Sequence, residues 1–248
     1  MSRKARSLDV CITLRCNATC RNCIEFCNRG YVTGLDYSDS DMTLGQIAEF
    51  VHQVEGMDPA QRFTRITVTG GEPLLHPQVE EIVAQVEGLR AREHVQEVLV
   101  NSNGLIAAPA SLRPYLVNYS QPGDNPGLHN VAFLHPTEFG GRKQTYAGCK
   151  HSRRETVVLT YLGWSICCAG DAYLRLFGME DLFLDHLPDH FPLEEMDRIC
   201  QHCPFGSFDV LPFERDAGCP VSDVYLQEAE KNRQGPRLTK RFPSRRCP

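Results

Sequence analysis

Between residues 7 and 101 the chain alternates between short apolar stretches and amphipathic ones, and this alternation limits its fold more than any other feature. Residues 7–14 (SLDVCITL), 65–69 (RITVT) and 97–101 (EVLVN) are rich in branched apolar side chains and read as buried strands. Between the first two, Thr43 is a helix N-cap and Gln46 completes a capping box. Leu44, Ile47, Ala48, Val51 and Val54 then recur at helical spacing, as do Val79, Ile82, Val83, Val86 and Leu89 before the third strand. The order β-α-β-α-β predicts an α/β fold with parallel strands joined by right-handed crossovers. Beyond it the reading predicts a short helix over 109–115 and strands over 116–119 and 130–134. A loop spans 120–148, long enough to suggest a functional role. Two strands over 156–161 and 164–168 turn at Leu162-Gly163, and a short helix over 193–200 follows.

Cysteine placement is the second constraint. The 12 cysteines stand at 11, 16, 20, 23, 27, 149, 167, 168, 200, 203, 219 and 247, with none from 28 to 148. A chain of 248 residues, 42% hydrophobic and 23% charged, makes one or two domains and buries a sizeable core without covalent staples. The basic start Met1-Ser-Arg-Lys-Ala-Arg is not followed by an apolar signal core. No apolar run approaches the ~20 residues that span a bilayer. The expectation is a cytoplasmic protein without a membrane partner, in a reducing compartment where cysteines serve as metal ligands or catalysts. Two metal centres, one at each end of the chain, would account for the bimodal pattern. Net charge is −5, yet residues 228–248 carry seven Lys or Arg against two Glu, so a basic C-terminal tail follows a body of about −10. A solvated tail is the expectation, with a phosphate or acidic partner as the alternative and no nucleic-acid partner expected.

Directly after the first strand come Cys16, Cys20 and Cys23, spaced Cys-x3-Cys-x2-Cys. Three thiolates on one loop can hold three irons of a cubane cluster and leave the fourth iron open. Zinc is the rival, with Cys27 as the fourth ligand of a closed tetrahedron. After the second strand comes Gly70-Gly71-Glu72-Pro73, where glycines permit close backbone approach. The two motifs, in this order and on these elements, resemble the radical SAM superfamily over roughly residues 8–135. The resemblance implies a partial TIM-like (β/α) barrel and a [4Fe-4S] cluster on Cys16, Cys20 and Cys23 whose open iron binds S-adenosyl-L-methionine. It also implies that Gly70, Gly71, Glu72 and Pro73 lie against the methionine amino group, with Glu72 as an acceptor. The family's usual aromatic residue before the third cysteine is replaced by Asn22, whose backbone could still meet the adenine edge, and Phe26 is a candidate for the lost stacking. Asn103 matches a position near the cofactor in relatives. Cys27 would then be a free or structural thiol.

The later cysteines, Cys149, Cys168 (four residues after Gly163) and Cys200-x2-Cys203, resemble a twitch subdomain, a short form of the SPASM domain. That resemblance implies a β-hairpin plus helix holding an auxiliary [4Fe-4S] cluster, with Cys168 preferred to Cys167. The expected domains are 1–135, the barrel; 136–210, the twitch-like subdomain; and 211–248, the basic tail. Size and layout resemble 2-deoxy-scyllo-inosamine dehydrogenase. The implied reaction is reductive cleavage of S-adenosylmethionine to a 5′-deoxyadenosyl radical that takes hydrogen from a small polar sugar-, cyclitol- or nucleotide-like substrate. The auxiliary cluster would accept an electron to give oxidation, as in a dehydrogenase-like oxidoreductase, and a flavodoxin- or ferredoxin-type protein would supply electrons. Glu138, His129, His135, Arg142 and Tyr146 are residues from which a base could come, none assigned as catalytic. The alternatives are an epimerase using a spare thiol (Cys219, Cys167 or Cys27) as hydrogen donor, a peptide-modifying enzyme, and a GTP-cyclase-like enzyme using Cys200, Cys203 and Cys219. A zinc or Fe-S binding module without catalysis is the non-enzyme reading.

Overall fold

The computed structural model describes residues 7–20, 23–27, 33–118, 132–149, 156–187, 193–205, 207–208, 221–235 and 238–245. Strands β1 (Ser7–Thr13), β2 (Arg65–Gly70), β3 (Glu97–Ser102) and β4 (Leu116–Asn118) run parallel and adjacent in chain order. This is the parallel α/β arrangement that the sequence predicts. Helix α1 (Leu44–Glu55) connects β1 to β2, and α2 (Val79–Ala91) connects β2 to β3. Each strand sends alternate side chains to opposite faces. Leu8, Val10, Ile12, Ile66, Val68, Val98 and Val100 share one apolar cluster with Ile47, Phe50 and Val54 of α1 and Ile82, Val83 and Val86 of α2. The other face keeps Asp9, Thr67, Thr69, Leu99 and Asn101, all half-buried.

The capping box on α1 forms as the sequence predicts. The Thr43 hydroxyl accepts from the Gln46 amide, and the Gln46 side chain accepts from the Thr43 amide. The short helix predicted over 109–115 shrinks to a turn of 3-10 helix at Arg113–Tyr115. Residues 132–134 are buried as a turn where a strand is predicted.

Two larger departures concern connectivity. Strands β5 (Thr156–Thr160) and β6 (Gly163–Ser165) do form a hairpin, but β5 pairs in parallel with β1, giving the order β4-β3-β2-β1-β5-β6. The hairpin expected to open a separate subdomain therefore extends the main sheet. The open edge of β1 demanded a partner, since unpaired strand amides and carbonyls are costly when buried. The second strand stops at Ser165, and Cys168 begins helix α3 (Cys168–Phe177), followed by α4 (Leu193–Cys200).

The C-terminal segment is no loose tail where it is described. Helix α5 (Asp223–Gln234) buries Tyr225, and residues 238–245 dock beside α1. The Phe242 amide donates to the Tyr161 carbonyl at 2.8 Å, and the Gln46 amide group donates to the Phe242 carbonyl at 3.0 Å. Lys240, Arg241 and Arg245 pair with Asp185, Asp39 and Glu49, so the acidic body neutralises part of the basic end. No helix among the described residues is long and apolar enough to cross a membrane.

Candidate functional site

The end of β1 is held by a polar scaffold before the first cysteine loop begins. Arg15 grips Asp41 with two nitrogens, at 3.0 and 2.6 Å, and also donates to the Leu75 carbonyl. Thr13 donates to the same carboxylate at 2.6 Å, and the Leu14 amide donates to Ser40. Bidentate pairing of this kind fixes geometry as well as charge.

The Gly-Gly-Glu-Pro turn is stitched to this segment. The Gly71 and Glu72 amides donate to the Thr13 and Arg15 carbonyls, each at 2.8 Å. Gly70 has φ 148°, and a Cβ there would strike the Thr13 carbonyl oxygen, while one on Gly71 would strike that of Arg15. The glycines thus admit a neighbouring backbone. Glu72 is fully buried. One carboxylate oxygen accepts from Ser102 and the Asn103 amide, the other from the Leu74 amide at the start of the Pro73–Leu75 turn. Glu72, the expected acceptor for a cofactor amine, thus also ties the turn to the end of β3. Asn103 continues the chain of contacts, donating to Asn17 at 2.8 Å and towards the Cys16 sulfur at 3.8 Å.

Cys16, Cys20 and Cys23 sit near enough that the charges of the other two, after burial, help to push the Cys16 thiol up. The Cys27 thiol donates to Cys23 and, with backbone amides, brings its pKa down to about 7. A ligand must be a thiolate, so this pairing suits metal binding at Cys23. Cys27 is itself buried. Phe26, the candidate for adenine stacking, is wholly buried between Phe133 and Tyr173 at ring separations of 5.4 and 5.2 Å, which removes it from that role. Asn22 lies outside the described residues.

At the second group the structure separates the neighbours Cys167 and Cys168. The thiols that influence one another electrostatically are Cys149, Cys167, Cys200 and Cys203. Cys168 instead feels Cys167, Glu25 and Asp9. The reason is the strand-to-helix junction. Cys167 is the extended N-cap of α3 (φ −168°, ψ 155°), and its sulfur accepts from the Gly170 amide at 3.1 Å. Cys168 is the first helical residue, so consecutive side chains diverge. Burial pushes Cys167 up to about 12. The loop bearing Cys149 is tied to the helix α4 end by the Tyr146 amide to Asp197 and the Arg142 amide to the Ser207 carbonyl. Both sets of thiols match the donor chemistry of iron-sulfur clusters. Among the described residues no three or more His, Cys, Asp or Glu converge as one metal ion requires.

Glu138 and His135, two of the residues named for a base, are engaged elsewhere. Glu138 accepts from Ser222 and the Val224 amide at the start of α5. His135 pairs with His202 at 2.9 Å, and burial with the neighbouring His135 brings His202 down to about 4. His129 and Cys219 lie outside the described residues. Sequence reasoning missed Asp9, a lone carboxylate in an apolar strand at an alternate position from the core. Burial holds it up at about 6, against the Thr67 hydroxyl and Arg65 that lower it.

No protein-family model matches the chain. Over 104 residues, 42% of the chain, it is 33% identical to GTP 3′,8-cyclase of Corynebacterium glutamicum, covering 26% of that protein. It is 34% identical over 97 residues to GTP 3′,8-cyclase of Lactiplantibacillus plantarum, covering 39% of the chain and 26% of that protein. The chain thus spans about a quarter of the length of the curated relatives it matches. Among solved structures, BtrN in complex with AdoMet and 2-DOIA aligns at TM-score 0.47 and 14% identity, over 83% of this chain and 89% of that one. SuiB of Streptococcus suis, bound to precursor peptide SuiA, aligns at TM-score 0.32 and 14% identity, over 46% of this chain and 23% of that one.

Proposed function

We propose that the chain is a radical SAM oxidoreductase acting on a small polar metabolite. The observation that carries this reading is the pairing of the two thiol groups with one scaffold, the first held by the Gly-Gly-Glu-Pro turn and the second assembled around the α3 N-cap. Cys16, Cys20 and Cys23 would hold one [4Fe-4S] cluster and S-adenosyl-L-methionine. Cys149, Cys167, Cys200 and Cys203 would hold the other. When bound, these groups supply hydrogen-atom abstraction from carbon and an acceptor for one electron. Gly70, Gly71, Glu72, Pro73 and Asn103 keep the first loop in shape, and a flavodoxin- or ferredoxin-type donor would feed it electrons.

The polar sheet face supports the substrate class. Asp9, Thr67, Thr69 and Asn101 offer hydroxyl, amide and carboxylate groups around Leu99. Such a face binds hydroxyl- or amine-bearing molecules better than apolar ones. Oxidation of an alcohol removes a hydrogen atom from carbon, a proton from oxygen and one electron. The Asp9 carboxylate takes the proton, since a pKa near 6 leaves it ionised at neutral pH and still basic.

The relatives favour one second reading, a GTP-cyclase-like reaction. Against it, the described basic residues of the C-terminal segment are engaged with carboxylates rather than offered to a nucleotide. Anaerobic reconstitution separates these readings. About eight irons per chain and 5′-deoxyadenosine from S-adenosylmethionine with dithionite are expected, both falling in Cys16→Ala. A reduced substrate-sized polyol turning over, with GTP inert, supports the oxidoreductase; GTP consumption transfers the assignment to the second reading. Zinc in place of iron with no nucleoside formed defeats both.

A further inference from the structure

Arg175 lies in the last turn of α3 with no solvent exposure. Its guanidinium donates to the Glu25 carboxylate at 2.7 Å and to the Glu25 backbone carbonyl at 3.2 Å. It also donates to Asp171, one turn earlier on the same helix, at 3.0 Å, and to the Tyr37 hydroxyl at 2.8 Å. Glu25 sits between Cys23 and Cys27 in the first cysteine loop. The helix that carries Arg175 begins at Cys167, whose sulfur and carbonyl accept from the Gly170 and Asp171 amides. A buried ionic group of this kind is expensive, and well-packed apolar residues would often hold the fold as well or better. Gripping both the side chain and the backbone of one loop residue is what a planar, multi-donor guanidinium does and an apolar side chain cannot.

We propose that Arg175 is a positioning residue that locks the first cysteine loop, through Glu25, onto the helix that starts in the second thiol group. The two groups are thereby held at one separation and orientation, on a single rigid element. This rests on the reading that the loop of residues 16–27 holds the first cluster. The proposal itself concerns the loop and can be tested without it.

The test compares full-length wild type with Arg175→Met, Arg175→Lys and Glu25→Gln. Amide exchange over residues 16–27 is read on the metal-free chain, and iron content and the S-adenosylmethionine-induced change in the reduced-cluster EPR signal on the reconstituted protein. In both Arg175 variants, exchange in the loop is expected to quicken at least about tenfold. Iron content stays at the wild-type value, the EPR response to S-adenosylmethionine is lost, and 5′-deoxyadenosine formation falls about 100-fold, as small misplacements do. Lysine fails because one ammonium cannot span the four acceptors. Glu25→Gln, which leaves Arg175 paired to Asp171, gives a partial loosening. Full rescue by lysine would show that charge alone matters and overturn the proposal, as would wild-type exchange and EPR response in both Arg175 variants. If Arg175→Met does not fold, Glu25→Gln decides, and unchanged exchange there overturns the proposal. A wild type that takes up no iron defeats the function reading alone, because the exchange comparison still stands.

Discussion

Single side chains carry the sharpest chemistry here. Asp9 is held up at about 6 by burial, against an ordinary value of 3.8. Between those values the folded chain binds more protons than the unfolded one, so stability falls as pH rises through the window. Above pH 6 the ionised carboxylate is therefore a standing cost. Asp9→Asn should stabilise the protein at pH 7 by about 2 kcal/mol and leave it nearly unchanged at pH 3.5, read by urea melts at the two pH values. The same change should cut turnover at least about 100-fold, the usual scale of a lost base, with wild-type rate rising through pH 6. A stability gain paired with an activity loss is the signature of a site residue. Cys167 and Cys168 give a second comparison. Cys167→Ala should cost the second cluster, taking about eight irons to about four, whereas Cys168→Ala should keep them, measured by iron and sulfide analysis.

At the scale of elements, the Gly-Gly-Glu-Pro turn is a backbone joint between β1 and β2. Gly71→Ala drives a methyl group into the Arg15 carbonyl, and neither partner is a flexible side chain that can yield. It should destabilise by about 3 kcal/mol, with loss of iron uptake at the first loop, followed by melting and iron assay. Helix α1 offers a milder control. Thr43→Ala removes the hydroxyl that accepts from the Gln46 amide, leaves the backbone amide at 43 that donates to the Gln46 side chain, and should cost about 1 kcal/mol without altering iron content. The contrast separates a cap that only ends a helix from a joint that also shapes the site. Helices α3 and α5 escape sequence reading for opposite reasons. Almost every residue of α3 from Ala169 to Phe177 is buried, so no polar face marks a helical period. In α5 only Tyr225, Ala229 and Asn232 are buried, too few to stand out from a polar segment.

On the scale of the whole molecule, the C-terminal segment closes the fold. Phe242 is buried against Trp164 at 6.2 Å, and its carbonyl takes the amide of the buried Gln46. Phe242→Ala should cost about 3–4 kcal/mol, seen as a lower urea midpoint, because it opens a cavity beside Trp164. The nearby ion pairs of Arg241 and Arg245 are half-exposed at the arginine and should contribute little.

What the sequence determined by itself is local and periodic. Branched apolar runs, a capping box and helical spacing between residues 7 and 101 dictate parallel strands and two helices, because those signals act over a few residues. The order of Cys16, Cys20, Cys23 and Gly70-Gly71 placed the first loop and its turn after consecutive strands. Tertiary structure alone decided that β5 joins β1, that Glu72 turns inward, and that Cys167 and Cys168 diverge where the strand gives way to α3. It also decided that Arg175 reaches Glu25 across 150 residues. Each of these depends on which distant backbone fills an open edge, or which of two adjacent side chains faces inward at a junction. No spacing along the chain encodes that, since it is settled only when buried polar groups find partners.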